Sequence, residues 1–363
     1  MVTSASGFTS LETKYKQFAA PEAEIIINGQ AANLSEMAVE WVEVDLSTEP
    51  KADVARFSIV NGFVIKETKF KWVGDLIKVG NTLQIKFGYA DKKELLFDGL
   101  ITGYSLDYSP NASPKIVVTG MDRSFMLMRS AHSKVWSEMK DSDVVSQIAG
   151  QYGLSTDIDA TTIKRTRIEQ TGVSDYHFIR SLAVDNDRLF YVTASKLYFK
   201  KRQTGTPVVS LKYGQSLLSF MLTVDAAGQV SEVTVRGYDV AKKTHVEATA
   251  SSVTAMPTKS TTGPSLASKL SSNKKEIVYT QVGSQAEAQL LATSMLERSA
   301  RELVTGHGSS IGLPEIMPGK MIHIEGLGNG TELDQTLRIT RATHRLDGQD
   351  GYKTYFVTEG NAI

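Results

Sequence analysis

Two stretches of this chain repeat one another in nearly constant register, and a chain that carries one β pattern twice is constrained to fold it twice. Val79-Gly80-Asn81-Thr82-Leu83-Gln84-Ile85 aligns with Pro318-Gly319-Lys320-Met321-Ile322-His323-Ile324 at an offset of 239. Ile101-Thr102 then meets Ile339-Thr340, and Val118-Thr119 meets Val357-Thr358, at offsets of 238 and 239. A fourth match sets Trp41-Val42-Glu43-Val44-Asp45 on Met221-Leu222-Thr223-Val224-Asp225 at an offset of 180. The change of offset (239 − 180) implies that the second copy carries about sixty extra residues. The repeat places Leu83, Ile85, Ile101, Val118, Ile322, Ile324, Ile339 and Val357 in the core.

The flanking sequence has the punctuation of short strands. Ile25 to Ile27 run into Asn28-Gly29, a dipeptide suited to a tight hairpin, and Val42, Val44 and Leu46 alternate with Glu43 and Asp45. Turns are expected at Asn61-Gly62, at Asp98-Gly99 and at Gly120. After about Met128 the period changes. Val144, Val145, Ile148, Ala149 and Tyr152 share a helical face that starts at Asp141 or Ser142 and stops at Gly153. A second helix begins at Ser174 and buries Phe178, Ile179, Leu182 and Ala183, and a hairpin follows across Thr193-Ala194-Ser195. Strands return at Leu217 to Val224 and at Val233/Val235. The Ser/Thr-rich tract from Ala250 to Ser272 reads as a loop or disordered insertion, and Ser284-Gln285-Ala286-Glu287 forms a capping box ahead of a helix.

Composition bounds the rest. At roughly 150 residues per domain, 363 residues suggest two or three domains. Forty basic and forty acidic residues leave no net charge, so neither sequence-specific nucleic-acid recognition nor binding to an anionic membrane is expected. The chain has no cysteine, which excludes disulfides, thiolate metal sites and cysteine nucleophiles. Met1 to Lys16 lacks the apolar stretch of a secretory signal, and no run of about 18 apolar residues, the length that spans a membrane, occurs in the chain. A soluble chain that does not use the general secretory route is expected.

Val173-Ser174-Asp175-Tyr176-His177-Phe178-Ile179-Arg180-Ser181-Leu182-Ala183, then Leu189-Phe190-Tyr191, resembles the S-D-x-x-F-x-x-x-L-A segment, with its later l-F-Y, of the phage late control gene D family. So do Pro318-Gly319, Leu337-Arg338-Ile339-Thr340, His344 and Gly351-Tyr352-Lys353-Thr354-Tyr355-Phe356. That family comprises hub proteins of contractile tails, including the N-terminal part of VgrG proteins. The resemblance covers about residues 21 to 360 and implies a mainly β fold: two duplicated antiparallel tube-type β-barrel domains joined by a small α+β domain. The expected parts are an N-terminal arm (1–20), a first barrel (21–128), an α+β middle (129–205) and a second barrel (206–363) with an insertion near 250–303. The implied role is a non-enzymatic baseplate hub of a phage tail, tailocin or contractile injection particle. Such a hub assembles in the bacterial cytoplasm as a homotrimeric pseudo-six-fold ring. Its implied partners are a tail tube or tube-initiator protein, a trimeric spike and baseplate wedge proteins. The chain ends three residues after Gly360, where VgrG proteins continue into a spike, so a separate spike protein is expected.

Chemical sites are weaker. Gly308-Ser309-Ser310-Ile311-Gly312, beside His307, matches G-x-S-x-G, but the nucleophile elbow needs a strand before the serine and a helix after it. Here a helical pattern precedes and Leu313-Pro314 follows, so a glycine-eased strand is favoured. A cell-envelope hydrolase using Ser310 and His307 is the rival reading, and a receptor- or glycan-binding tail module is a third. Gly326, Gly328 and Gly330 read as a hairpin loop. His132, His177, His245, His307, His323 and His344 form no close metal-binding pair. Asp157/Asp159 and Asp185/Asp187 read as solvated turn residues, and Glu315 with Glu325 lacks the spacing and fold of a glycosidase pair. Trp41, Trp72 and Trp136 read as core or interface anchors. No catalytic, cofactor or metal residue is assigned.

Overall fold

The computed structural model describes residues 7–363 apart from 50, 111, 194, 203–204, 240–241, 271–273, 279–281 and 329–332. Ala194 of the expected hairpin turn, Gly330, Ser271 and Ser272 of the Ser/Thr tract, and Met1 to Ser6 therefore lie outside the described residues.

The chain begins with α1 (Phe8–Lys14) and enters a first β module. Its elements are β1 (Pro21–Ile27), β2 (Gln30–Ala31), α2 (Leu34–Met37), β3 (Val39–Ser47), β4 (Val54–Ile59), β5 (Phe63–Val64), β6 (Lys69–Phe70), β7 (Thr82–Tyr89), β8 (Lys92–Asp107) and β9 (Lys115–Asp122). The α+β middle holds α3 (Ser124–Met128), β10 (Ala131–Lys140), α4 (Asp141–Gln151), β11 (Ser155–Ile158), β12 (Lys164–Ser174), α5 (Asp175–Asp185), β13 (Arg188–Thr193) and β14 (Lys196–Lys201). The second β module opens with β15 (Val209–Lys212) and β16 (Leu217–Val224). An inserted unit follows: β17 (Glu232–Asp239), β18 (Thr244–Ala250), α6 (Gly263–Leu270), β19 (Lys274–Val278) and α7 (Gln285–Ala300). The module resumes as β20 (Val304–Ile311), β21 (Met321–Glu325), β22 (Gln335–Asp347) and β23 (Gly351–Gly360).

The repeat is present in the strand pairing itself. β7–β8–β9 and β21–β22–β23 are both antiparallel meanders, entered by Gly80 and Gly319 at φ values of 97° and 83°, a conformation that only glycine adopts freely. The amide of Gly80 donates to Ile101 O (2.8 Å), and Gly319 donates to Ile339 O (2.7 Å). Each meander bulges at the same place, between Ile101 and Gly103 in one and between Ile339 and Arg341 in the other. β3–β4 and β16–β20 also pair antiparallel, with bulges after Val39 and after Leu217, and β4 and β20 pair with β9 and β23. Five strands thus share order, direction and register, while the sixth does not: β1 runs antiparallel to β7, but β15 runs parallel to β21.

The pairing corrects the sequence alignment. Trp41 faces Ser58 as Ser219 faces Ser309, so β3 maps onto β16 at an offset of 178 rather than 180, a two-residue slip that leaves every side chain on its own face. Gly120 and Thr358 are equivalent, so β9 maps onto β23 at 238 rather than 239. That one-residue error changes faces: the equivalent of Val118 is Phe356, which is buried, whereas Val357 is only half-buried. The other seven expected core residues are buried. From β4 to β20 the offset is 251, so the insertion adds 73 residues (251 − 178) rather than about sixty.

Those residues form a unit of their own. Val233 and Val235 lie on β17 in a separate three-stranded sheet, β18-β17-β19, rather than continuing the second module, and α7 packs across that sheet. Within the Ser/Thr tract, Gly263–Leu270 is helical. The Ser284 side chain accepts from the amide of Glu287 (3.3 Å), as the capping box implies, while Glu287 accepts from the amide of Gly283 (2.8 Å), one residue before the N-cap amide that the box would use. Ser284→Ala is expected to lower stability by about 1 kcal/mol, read as a lower urea midpoint.

The two β modules share one thirteen-stranded sheet, in the order β16-β20-β23-β22-β3-β4-β9-β8-β7-β1-β2, with β21 on β22 and β15 on β21. β22 pairs with β3 across residues 341–347 and 41–47 and makes the joint. One apolar core runs through both modules, with Leu11 and Tyr15 of the N-terminal arm inserted into it. The middle and the insertion have cores of their own. Asp98-Gly99 is not a turn: β8 runs straight through it, and a Cβ on Gly99 would lie 2.1 Å from Met121 O, so the glycine answers a close strand approach. Gly120 likewise lies inside β9.

Candidate functional site

The hydrolase candidates separate once folded. Ser310 is inside β20, fully buried, and its hydroxyl donates to Ile311 O (2.8 Å). His307 is three residues away on the same strand, exposed and on the opposite face. No elbow turn presents the serine, and its proton is held by a backbone carbonyl rather than by a base.

The carboxylate pairs are ion-paired rather than merely solvated. Lys200 Nζ bridges Asp157 (2.8 Å) and Asp159 (2.9 Å), and holds both below the usual carboxylate range. Asp185 and Asp187 face different arginines. Burial raises Asp185 to about 6 beside Arg165, while Asp187 binds Arg301 Nη2 (2.8 Å) and Arg202 Nε (3.2 Å). Glu315 accepts from Lys14 Nζ (2.8 Å) and Tyr15 OH (2.7 Å), whereas Glu325 ends β21. Gly326 and Gly328 lie in the β21–β22 loop.

The histidines are dispersed. His132 lies 3.7 Å from Asp175, His177 contacts the Ser174 hydroxyl, His245 meets Tyr238 edge-on and His323 contacts the Thr336 hydroxyl. Among the described residues no three His, Asp or Glu side chains gather as a metal site would require. Trp136 is a core anchor stacked on Phe178 with centroids 5.4 Å apart, and Trp41 lies under the Arg345 guanidinium at 5.3 Å.

What the fold assembles instead are joints. At the first, β3 offers Glu43 and Asp45 to the arginines of β22. Arg341 makes a bidentate pair with Asp45 (2.8 and 2.9 Å), and Arg345 reaches Glu43 (3.0 Å). Burial alone would raise Asp45, but Arg341 and Lys51 outweigh it and hold the carboxyl below its usual range. At the second, Arg202 from the middle, Arg301 after α7 and Arg338 on β22 converge on Glu359 (3.4, 3.8 and 3.1 Å). The third pins the N-terminal arm. Tyr15 and Lys14 hold Glu315, and Tyr89 donates to Gly312 O (2.8 Å). Behind them, fully buried His344 contacts Tyr352 OH (2.9 Å) through Nδ1 and Ile316 O (3.0 Å) through Nε2. A carbonyl can only accept, so Nε2 carries the proton and Nδ1 accepts from Tyr352. Sequence reasoning missed these joints as sites; the one visible signal was the alternation of Glu43 and Asp45 with apolar residues, matched by the spacing of Arg341 and Arg345.

The exposed apolar residues include Leu218, Met221 and Val224 on β16 and Tyr104 and Leu106 on β8. No described helix is long and apolar enough to cross a membrane.

The family model described as Alg8 N-terminal domain matches residues 19–345. The chain belongs to the Alg8 N-terminal domain family. A search of curated proteins finds no match to it. Among solved structures, this Alg8_N family member resembles the 43 kDa tail protein of prophage MuSo2 from Shewanella oneidensis, at a TM-score of 0.70 and 15% identity, over 93% of this chain and 98% of that one. It also resembles a tail protein from Neisseria meningitidis MC58 (TM-score 0.68, 15% identity, 94% and 96% covered). A third is the E. coli c3393 protein, a component of the type VI secretion system (TM-score 0.55, 14% identity, 89% and 74% covered). The Alg8_N chain therefore has the fold of these tail and secretion-system proteins.

Proposed function

We propose that the chain is a structural hub of a contractile tail or injection particle, as its resemblance to the late control gene D family implies. Three copies form a ring, and two β modules per chain make a pseudo-six-fold collar. Its partners are a tail tube or tube initiator on one face, a trimeric spike on the other and baseplate wedge proteins around it. Within this reading residues 21–128 and 206–363 are duplicated tube-type units, 129–205 is a brace and 1–20 is an arm.

The observation that carries the reading is the five-strand repeat with its shared bulges, because two similar but unequal modules let one polypeptide meet neighbours of unlike symmetry. The E. coli c3393 protein, described as structurally similar to T4 tail proteins gp27 and gp5, supports it by analogy of fold. So does the spending of charged residues on joints between parts rather than on a cleft. The buried Ser310 hydroxyl argues against the hydrolase reading. Light scattering and negative-stain microscopy of the purified chain test the proposal: a mass of three chains and a ring with a central hole are expected, and a monomer at micromolar concentration would overturn it.

A further inference from the structure

The internal repeat predicts more than similarity between halves, because the joint between the modules has an unfilled counterpart. Within the chain, β3 occupies the free edge of β22 beyond its β21 partner, with Leu46 opposite Ala342, Val44 opposite His344 and Val42 opposite Leu346. The repeat maps β3 onto β16 and β22 onto β8. Ile101 still bonds the backbone of Gly80 and Asn81, but from Gly103 onward β8 pairs only with β9, and β16 is the last strand of the sheet, so both edges are open among the described residues.

Applying the offsets of 178 and 238 turns the joint into a set of contacts that one chain cannot make with itself in this fold. Leu46 becomes Val224 and Ala342 becomes Tyr104; Val44 becomes Leu222 and His344 becomes Leu106. The four residues at the existing joint are buried, whereas Val224 is 47% exposed, Tyr104 41% and Leu106 37%. The segment Leu217 to Val224 contains no charge, proline or glycine, although an open edge strand normally carries such residues against chance pairing. The charge pairs of the existing joint have no counterpart, since Asp45 becomes Thr223 and Arg341 becomes Gly103. The empty edge is built for an apolar partner.

We infer that β16 of one copy pairs antiparallel with residues 103–107 of β8 in the next copy, in the register Val224 opposite Tyr104 and Leu222 opposite Leu106. The inference rests on the ring proposed above and names the edges that close it. A contact between two different surfaces closes only if its rotation is that of a ring. Repeating between chains the step already taken within the chain carries one sheet from each copy to the next, and the collar closes when six such steps complete a turn.

The absence of cysteine gives a clean test. Two double variants are made in the full chain, Leu106→Cys with Leu222→Cys and Ser105→Cys with Thr223→Cys. Adjacent cross-strand pairs alternate between Cα separations of about 4.5 and 5.5 Å, both within disulfide range. Mild oxidation is expected to link at least one double variant into a covalent ring on a non-reducing gel, while the shifted pair Leu106→Cys with Val224→Cys stays unlinked. Val224→Lys, at an exposed position, is expected to give a monomer that keeps the wild-type circular dichroism spectrum. Rings that form but link only through the shifted pair, or through none, would overturn this register and leave the hub reading standing. A wild-type chain that remains monomeric would sink both.

Discussion

Phe87→Ala is expected to destabilise the protein by about 3–5 kcal/mol, the range for deleting a buried aromatic ring. Phe87 is fully buried on β7 in the first module, yet it stacks on Tyr352 of the second, with centroids 5.1 Å apart, and lies 6.2 Å from the ring of His344. The cavity therefore opens on both sides of the joint, and both modules should lose stability together. Urea unfolding followed by the fluorescence of probes placed in each module should show one transition moving to lower urea for both. A transition that shifts in the first module while the second is unmoved would show that the shared core is not cooperative.

The second large effect is a loss of stability in acid that belongs to His344. Burial pulls its pKa from 6.5 to about 4, so between those values the unfolded chain binds a proton that the folded chain refuses. Stability from this group is complete above about 6.5 and is lost as pH falls towards 4, by about 3 kcal/mol. Asp53 and Asp122 pull the other way. Burial raises both, Asp122 to about 7, and the neighbouring Asp122 charge raises Asp53 further, so the folded state takes up protons there and loses stability as pH rises. The total profile mixes these slopes, and a variant isolates one of them. His344→Gln can still donate to Ile316 O and accept from Tyr352, but does not titrate. The advantage of the wild type over this variant should shrink as pH drops from 7 to 4; parallel curves across that range would refute the assignment.

Much of the local structure was legible because it is written in short-range pattern. Ser174 and Ser284 both cap helices through their hydroxyls, accepting from His177 and Glu287, and Asn28-Gly29 joins β1 to β2. Seven of eight expected core residues are buried, since alternation alone assigns the face of a strand. Asp98-Gly99 was misread because the same dipeptide serves a turn or a close strand approach, and only the neighbouring Met121 carbonyl distinguishes them. Val357 was misplaced because the identical Val-Thr pairs at 118–119 and 357–358 match one residue out of register, whereas both meanders carry the same bulge and the offset stays at 238 from β8 to β9.

Short-range pattern is enough to show that one β pattern occurs twice, that an α+β segment separates the copies and that the second copy is interrupted. Tertiary structure alone decided that the copies share a sheet through β3 and β22, that Asp45 meets Arg341 and that Tyr15 reaches Glu315. The physical reason is separation along the chain: strand alternation and capping depend on neighbours a few residues away, whereas each of these contacts joins residues about 300 apart and depends on which open edge the folded chain leaves for another.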